Sequence, residues 1–170
     1  MTQNHFTATG IVFNPKGEVL MMKHKKLGVW LPPGGHIDEN ELPCDACLRE
    51  IFEETGVKAE IISSSPQIGL ANDAHCKELA QPFVILLEDI EKTWQHNHID
   101  LVYICRADAD ALIKNEAEAD DIGWFTPDEV RKLDTFNNVR RVIAQAAEFM
   151  AAMRKKEEVI PWHDLPDVLG

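Results

Sequence analysis

The chain has 170 residues, a length that suits one globular domain and leaves little room for two. Apolar residues make up 45% and charged residues 27%, ordinary values for a chain with a real core. With 29 acidic against 17 basic side chains, the net charge of −12 argues against a general nucleic-acid binder and against an anionic membrane surface as partner. An anionic small substrate stays open, provided a cation accompanies it. No run approaches the ~18 apolar residues of a membrane span. The start, MTQNHFTATG, lacks the basic and apolar regions of a secretory signal, so the cytoplasm is the expected compartment. Cys44, Cys47, Cys76 and Cys105 are then expected as free thiols.

The first apolar run, Phe6 to Phe13, stops at Asn14-Pro15-Lys16-Gly17, which carries turn chemistry. A second run, Glu18 to Met22, follows at once, and the pair predicts a β-hairpin. Leu27 to Gly35, with Trp30, Pro32, Pro33 and Gly34, reads as a loop. Pro43 to Thr55 is helical, with Pro43 at the first helical position and Gly56 just past the end. Strands are predicted over Val57–Ile62, Pro82–Asp89 and Ile99–Ala107, the last rich in β-branched and aromatic residues. Between the last two, Lys92 to His98 reads as a polar turn, and Ile122 to Phe125 as a short apolar run. Thr126, Pro127 and Glu129 spell an N-cap, N1 and N3, and Asn137 to Lys156 reads as a long final helix.

Strands, a helix, more strands and then helices give a mixed α/β (α+β) layer architecture. No G-x-G-x-x-G occurs, so a dinucleotide-binding fold is a poor fit. Residues 1–156 are expected to form the single domain. Residues 157–170, with Pro161-Trp162-His163, are expected as a packed or mobile tail. A homodimer using that tail at its contact is one reading.

The segment from Gly35 to Val57 is the most informative. On a helical wheel, Glu50, Glu53 and Glu54 fall within an arc of roughly 100°. Cys44, Cys47, Leu48, Ile51, Phe52 and Thr55 fall on the other side, as a core face. Like charges so close weaken a helix, and a solvated acidic face is the commoner outcome. Three features oppose it. The carboxylates lie near the helix C-terminus, where the macrodipole disfavours them. A Pro-Pro-Gly-Gly loop leads in, and its glycines permit close backbone approach. Arg49 is the one nearby cation. A hard divalent ion, Mg²⁺ or Mn²⁺, would relieve the repulsion. From the residues alone both readings stay open.

The spacing G-x5-E-x7-R-E-U-x-E-E-x-G-U, with Ile51 and Val57 at the bulky apolar positions, is filled at all nine defined positions over 23 residues. It resembles the box of the Nudix hydrolase family (MutT-related). The resemblance implies a mixed β-sheet sandwiched between helices. It also implies metal-dependent hydrolysis of a nucleoside diphosphate linked to another group. Glu50, Glu53 and Glu54, with the Gly34 carbonyl, would be metal ligands; Arg49 would orient a box glutamate and Glu41 would brace the loop. Glu118, six residues before Trp124, matches a late glutamate of 8-oxo-dGTP hydrolases and would be a further ligand or general base. Glu116 and Asp120 compete for that place, and a solvated acidic loop is the plain alternative. The family also includes an isopentenyl diphosphate isomerase and sensors that bind nucleotides or sugar nucleotides without turnover. The intact glutamate set and the absence of an appended DNA-binding domain favour hydrolysis.

Lys23, His24, Lys25 and Lys26 form the compact basic cluster before the box. A solvated strand end is its ordinary reading, and a phosphate clamp through Lys23 its functional one. His96, His98 and Asp100 enter a strand, where residues two apart share a face. They could touch substrate or metal, His98 foremost, although surface histidine pairs are commoner. Cys44 and Cys47 have no second C-x2-C and read as small buried hydrophobes. Trp30 and Phe83 could stack on a base, while Trp124 anchors a motif; each is more often core. The family's NADH and coenzyme A signatures are missing. So is the proline about 15 residues past the box that ADP-ribose hydrolases tend to have, Pro66 being too early. A small nucleotide, such as a (deoxy)nucleoside triphosphate, is the default substrate.

Overall fold

In the computed structural model, which describes residues 2–62, 75–108 and 112–159, a tight turn starts the architecture. Asn14 Oδ1 accepts the N–H groups of Lys16 and Glu18 at 3.0 and 2.9 Å, and Gly17 takes φ 82°. The turn joins β1 (Gln3–Phe13) to β2 (Val19–His24). The predicted hairpin exists only at its base, where Phe13 faces Val19. Beyond that pair the strands separate. β1 runs parallel to β7 (His96–Ala107), while β2 lies between β3 (Trp30–Leu31) and β8 (Ala119–Phe125).

Two segments differ from expectation. The loop expected over Leu27–Gly35 contains β3 and part of β4 (Gly34–His36), separated by Pro32-Pro33. The prolines fit because the ladder needs only an acceptor there: the Pro33 carbonyl takes the Gly10 N–H at 3.0 Å. The polar turn expected up to His98 ends earlier, and β7 begins at His96. Its first residues are held by a partner distant in sequence, since Gln3, Asn4 and His5 lie opposite His96, Asn97 and His98.

β7 carries two further antiparallel neighbours along its other edge. β6 (Val84–Asp89) pairs with its first half and β5 (Ala59–Ile62) with its second. Alternation then sorts the side chains into two layers. Ala8 and Val12 of β1, with Tyr103, Cys105 and Ala107 of β7, face α1 (Pro43–Thr55) and pack on Ala46, Cys47 and Ile51. Ile11, Phe13, Val102 and Ile104 face the other way and pack with Ile143, Ala146 and Met150 of α3 (Asn137–Val159). A mixed sheet between helices results. The short helix α2 (Pro127–Val130) opens with the predicted capping box on Thr126 and Glu129. α3 passes the expected Lys156, and Pro161-Trp162-His163 lies outside the described residues. No helix among the described residues is long and apolar enough to cross a membrane.

α1 has the predicted ends, with Pro43 in its first turn and Gly56 in the left-handed conformation at φ 70°. Its core face differs at two positions. Phe52 is 50% exposed, and Glu54 is 7% exposed. Glu54 stands at the edge of the apolar arc, and the chain at 113–115 closes over it: the Ile113 N–H donates to the Thr55 carbonyl and the Asn115 N–H to the Glu54 carbonyl. Trp30 and Phe83 are core-facing, Trp30 edge-on to Phe125 at 4.9 Å and Phe83 6.0 Å from Phe149. The four cysteines are free thiols, with Cys47 and Cys105 buried.

Ile51 is fully buried under β1, so Ile51→Ala is expected to cost about 2–5 kcal/mol in urea denaturation. Phe52→Ala should cost about 1 kcal/mol or less, half of its surface being in water already.

Candidate active-site cleft

One guanidinium organises the box. Arg49 Nε and Nη2 donate to the two Glu41 oxygens, both at 2.8 Å, a bidentate pair that ties helix to loop. Nη2 also reaches the His36 carbonyl at 3.0 Å. Nη1 turns to the carboxylates, Glu50 Oε1 at 2.7 Å and Glu53 Oε2 at 3.2 Å. Glu41 Oε2 also accepts the Asp38 N–H at 3.0 Å. Arg49 therefore pulls the Glu41 carboxyl down to a pKa of about 2, and Glu41 raises that of Arg49 in return. Glu41, expected as a brace, and Arg49, expected to orient a box glutamate, are thus joined to each other and, through Arg49, to Glu50 and Glu53.

Glu54 meets the opposite environment. Its carboxylate accepts the Gly34 N–H at 2.9 Å, and burial pushes its pKa up to about 8 against that hydrogen bond. Glu50, Glu118 and Glu53 add to the rise by charge repulsion. A Cβ at Gly35 would lie 2.6 Å from the Glu50 carboxyl carbon, so a side chain there would displace that carboxylate.

Glu50, Glu53, Glu54, Gly34 and Gly35 line one cleft of about 600 Å³, with Arg49 and Glu41 behind its lining. Glu50, Glu53 and Glu54 come from α1, Gly34 and Gly35 from β4, and Glu118 from the turn before β8. Glu116 and Asp120, its competitors, do not line it. The donor set is all oxygen, and its members repel one another around one arginine. A hard divalent cation fits that set, because it would supply the charge that buried Glu54 lacks.

The other expected residues divide. His98 lines the cleft, and burial followed by repulsion from His36, His96 and His5 lowers its pKa to about 4. Asp100 lines it too, buried and raised in pKa, accepting Thr7 Oγ1 at 2.9 Å and Thr9 Oγ1 at 3.0 Å. Lys23 does not line it. That residue sits within strand pairing, opposite Trp30 of β3 and Asp121 of β8. His24 and Lys26 line the cleft instead, after a register shift between Lys23 and His24. Sequence reasoning missed Thr7, Thr9, His36 and Asn115 as cleft residues. No local signal marks them, because sheet register and the 112–118 return place them there.

A model of the NUDIX domain matches residues 3–146, so the chain belongs to that family. It is 24% identical over 124 residues to a MutT-like protein of Streptomyces ambofaciens, covering 73% of this chain and 65% of that one. It is 31% identical over 121 residues to an RNA pyrophosphohydrolase of Erythrobacter litoralis, covering 64% of this chain and 66% of that one. In both cases the match spans just under two thirds of the relative's length. The fold superposes on a NUDIX-family hydrolase of Clostridium perfringens with a TM-score of 0.77 and 28% identity, covering 87% of this chain and 99% of that one.

Glu54 carries the pH prediction. Its folded pKa is about 8 against an ordinary 4.5, so the folded state holds a proton that the unfolded chain has lost. Metal-free protein should thus lose stability as pH rises from about 4.5 through about 8. Glu88 and Asp100, also raised by burial, contribute in the same direction. Urea melts in chelator on either side of that range should show a shallower loss for Glu54→Gln, and an unchanged slope would clear Glu54 as a source.

Proposed function

We propose that this protein is a divalent-cation-dependent pyrophosphohydrolase. It cleaves the phosphoric anhydride of a nucleoside diphosphate linked to another group, with a (deoxy)nucleoside triphosphate as the default substrate. Family membership and the likeness to a hydrolase of the same family support an enzyme acting on phosphoric anhydride bonds. The observation that carries the reading is the convergence of Glu50, Glu53, Glu54, Glu118 and Gly34 on one cleft.

Those five residues would hold Mg²⁺ or Mn²⁺. When bound, the ion neutralises phosphate charge and acidifies a water molecule. The protein's own part is positioning and proton transfer. Water oxygen bonds to phosphorus, the anhydride P–O bond breaks, and the leaving phosphate takes the bonding pair. Arg49 holds Glu50 at 2.7 Å and Glu53 less closely at 3.2 Å, and Glu54 is buried against Gly34. That leaves Glu53, 56% exposed at its side chain, and Glu118 to accept the proton from water. Lys26, on the cleft wall, supplies positive charge to the outer phosphates.

The deciding experiment is phosphate release from nucleoside triphosphates, ADP-ribose, sugar nucleotides and dinucleotides. It is run with pyrophosphatase or phosphatase, with and without Mg²⁺ or Mn²⁺. Metal-dependent turnover of one class is expected, and silence across the panel with metal bound would favour a sensor. Glu53→Gln should lower kcat by about 10²–10⁴-fold with the fold intact; unchanged turnover would remove Glu53 from the reaction.

A further inference from the structure

We infer that His5, His36, His96 and His98 form a second metal site, made only of imidazoles and selective for a borderline ion such as Zn²⁺, at the rim of the carboxylate cleft. The inference does not rest on the hydrolase reading. It takes His98 from the substrate contact that its position in the sequence suggested.

Three strands bring the rings together. Parallel register sets His5 of β1 opposite His98 of β7 and Gln3 opposite His96. His96 and His98, two apart, share a face. On the other side of β1, antiparallel β4 sets His36 opposite Thr7. One ring nitrogen from each of His5, His96 and His98 lies within 4.8 Å of the other two. His5 Nδ1 is 3.4 Å from His36 Nε2, and the His36 and His98 rings are 4.9 Å apart. Tetrahedral Zn²⁺ with bonds of about 2.0–2.1 Å needs ligand nitrogens about 3.3 Å apart. One pair already has that spacing, and small ring rotations would close the rest.

A second observation concerns His96 alone. Its Nε2 is buried and has no hydrogen-bond partner among the described residues. Its Nδ1 lies 3.5 Å from Glu91 Oε1. A carboxylate holding the Nδ1 proton leaves the Nε2 lone pair for a metal, the arrangement by which ligating histidines are oriented. An unpartnered buried nitrogen is otherwise a cost without return. The surroundings favour a cation: Asp38 lines the hollow shared by His5 and His36, and Glu88 lies opposite His98 in the β6–β7 ladder.

The two sites differ in chemistry. Imidazole suits Zn²⁺, Co²⁺ or Ni²⁺, whereas Mg²⁺ prefers the oxygens of the box. They are also close. His36 stands two residues after Gly34, about 6–7 Å along β4. A metal at the histidines would tie β1, β4 and β7 together beside the strand whose Gly34 N–H holds Glu54.

The test is titration of the full chain with Co²⁺ in excess Mg²⁺, followed by its d–d absorption, with Zn²⁺ displacement giving the affinity. One equivalent should bind without a thiolate charge-transfer band, and it should persist in Glu53→Gln. His96→Gln should lose it. Glu91→Gln, a change at a side chain 60% exposed, should weaken Zn²⁺ by about 10–100-fold and keeps the test valid should His96→Gln not fold. Displacement of Co²⁺ by Mg²⁺, loss in Glu53→Gln, or unchanged binding in folded His96→Gln or in Glu91→Gln would each overturn the inference.

Discussion

The parallel pairing of β1 with β7, from Gln3 opposite His96 to Phe13 opposite Arg106, is the constraint on which the rest of the molecule depends. It joins segments more than ninety residues apart, so its closure entropy must be offset by what it buries. The return is two apolar faces of opposite sense. One receives α1 and the other α3. A slip of one residue would turn Ala8 and Val12 away from α1 and carry Ile11 and Phe13 into it. The same register sets Thr7 opposite Asp100 and His5 opposite His98. Core and cleft are thus consequences of one alignment.

Electrostatics at the cleft follow from how α1 is seated. Its apolar side is pressed onto the sheet, which forces the neighbouring arc of the helix toward β4 and the 112–118 return. Glu54 is buried by that closure, although nothing in its own character favours burial. Arg49 compensates Glu41, Glu50 and Glu53, and no other cation forms a pair with the box glutamates among the described residues. The surplus negative charge is a stored preference for a cation. It would also reconcile a chain of net charge −12 with the anionic substrate proposed above, because the positive charge there need not come from side chains.

Local chemistry was legible in the sequence wherever one segment sufficed. Proline at the start and glycine at the end bounded α1, Thr126 and Glu129 announced the capping box, and the carboxylate spacing announced that Glu50, Glu53 and Glu54 share one side of the helix. Reading failed where a distant partner decided the outcome. Pro32-Pro33 looked incompatible with strands, yet two short strands flank it because β1 and β2 needed edge partners. His96 to His98 looked like turn, yet it is strand because Gln3 to His5 pairs with it. Of the basic cluster at 23–26, whose functional reading placed Lys23 on phosphate, pairing opposite Trp30 keeps Lys23 off the cleft lining and leaves His24 and Lys26 on it.

The sequence by itself determined the helix, its caps, the turn at Asn14–Gly17 and the grouping of Glu50, Glu53 and Glu54. Each of these depends on torsions and spacings within a few residues. Tertiary structure alone decided that Glu54 and not Phe52 is buried, and that four histidines from three strands meet at one rim. Those outcomes rest on register and packing between segments far apart in the chain, where neither residue carries any mark of the other.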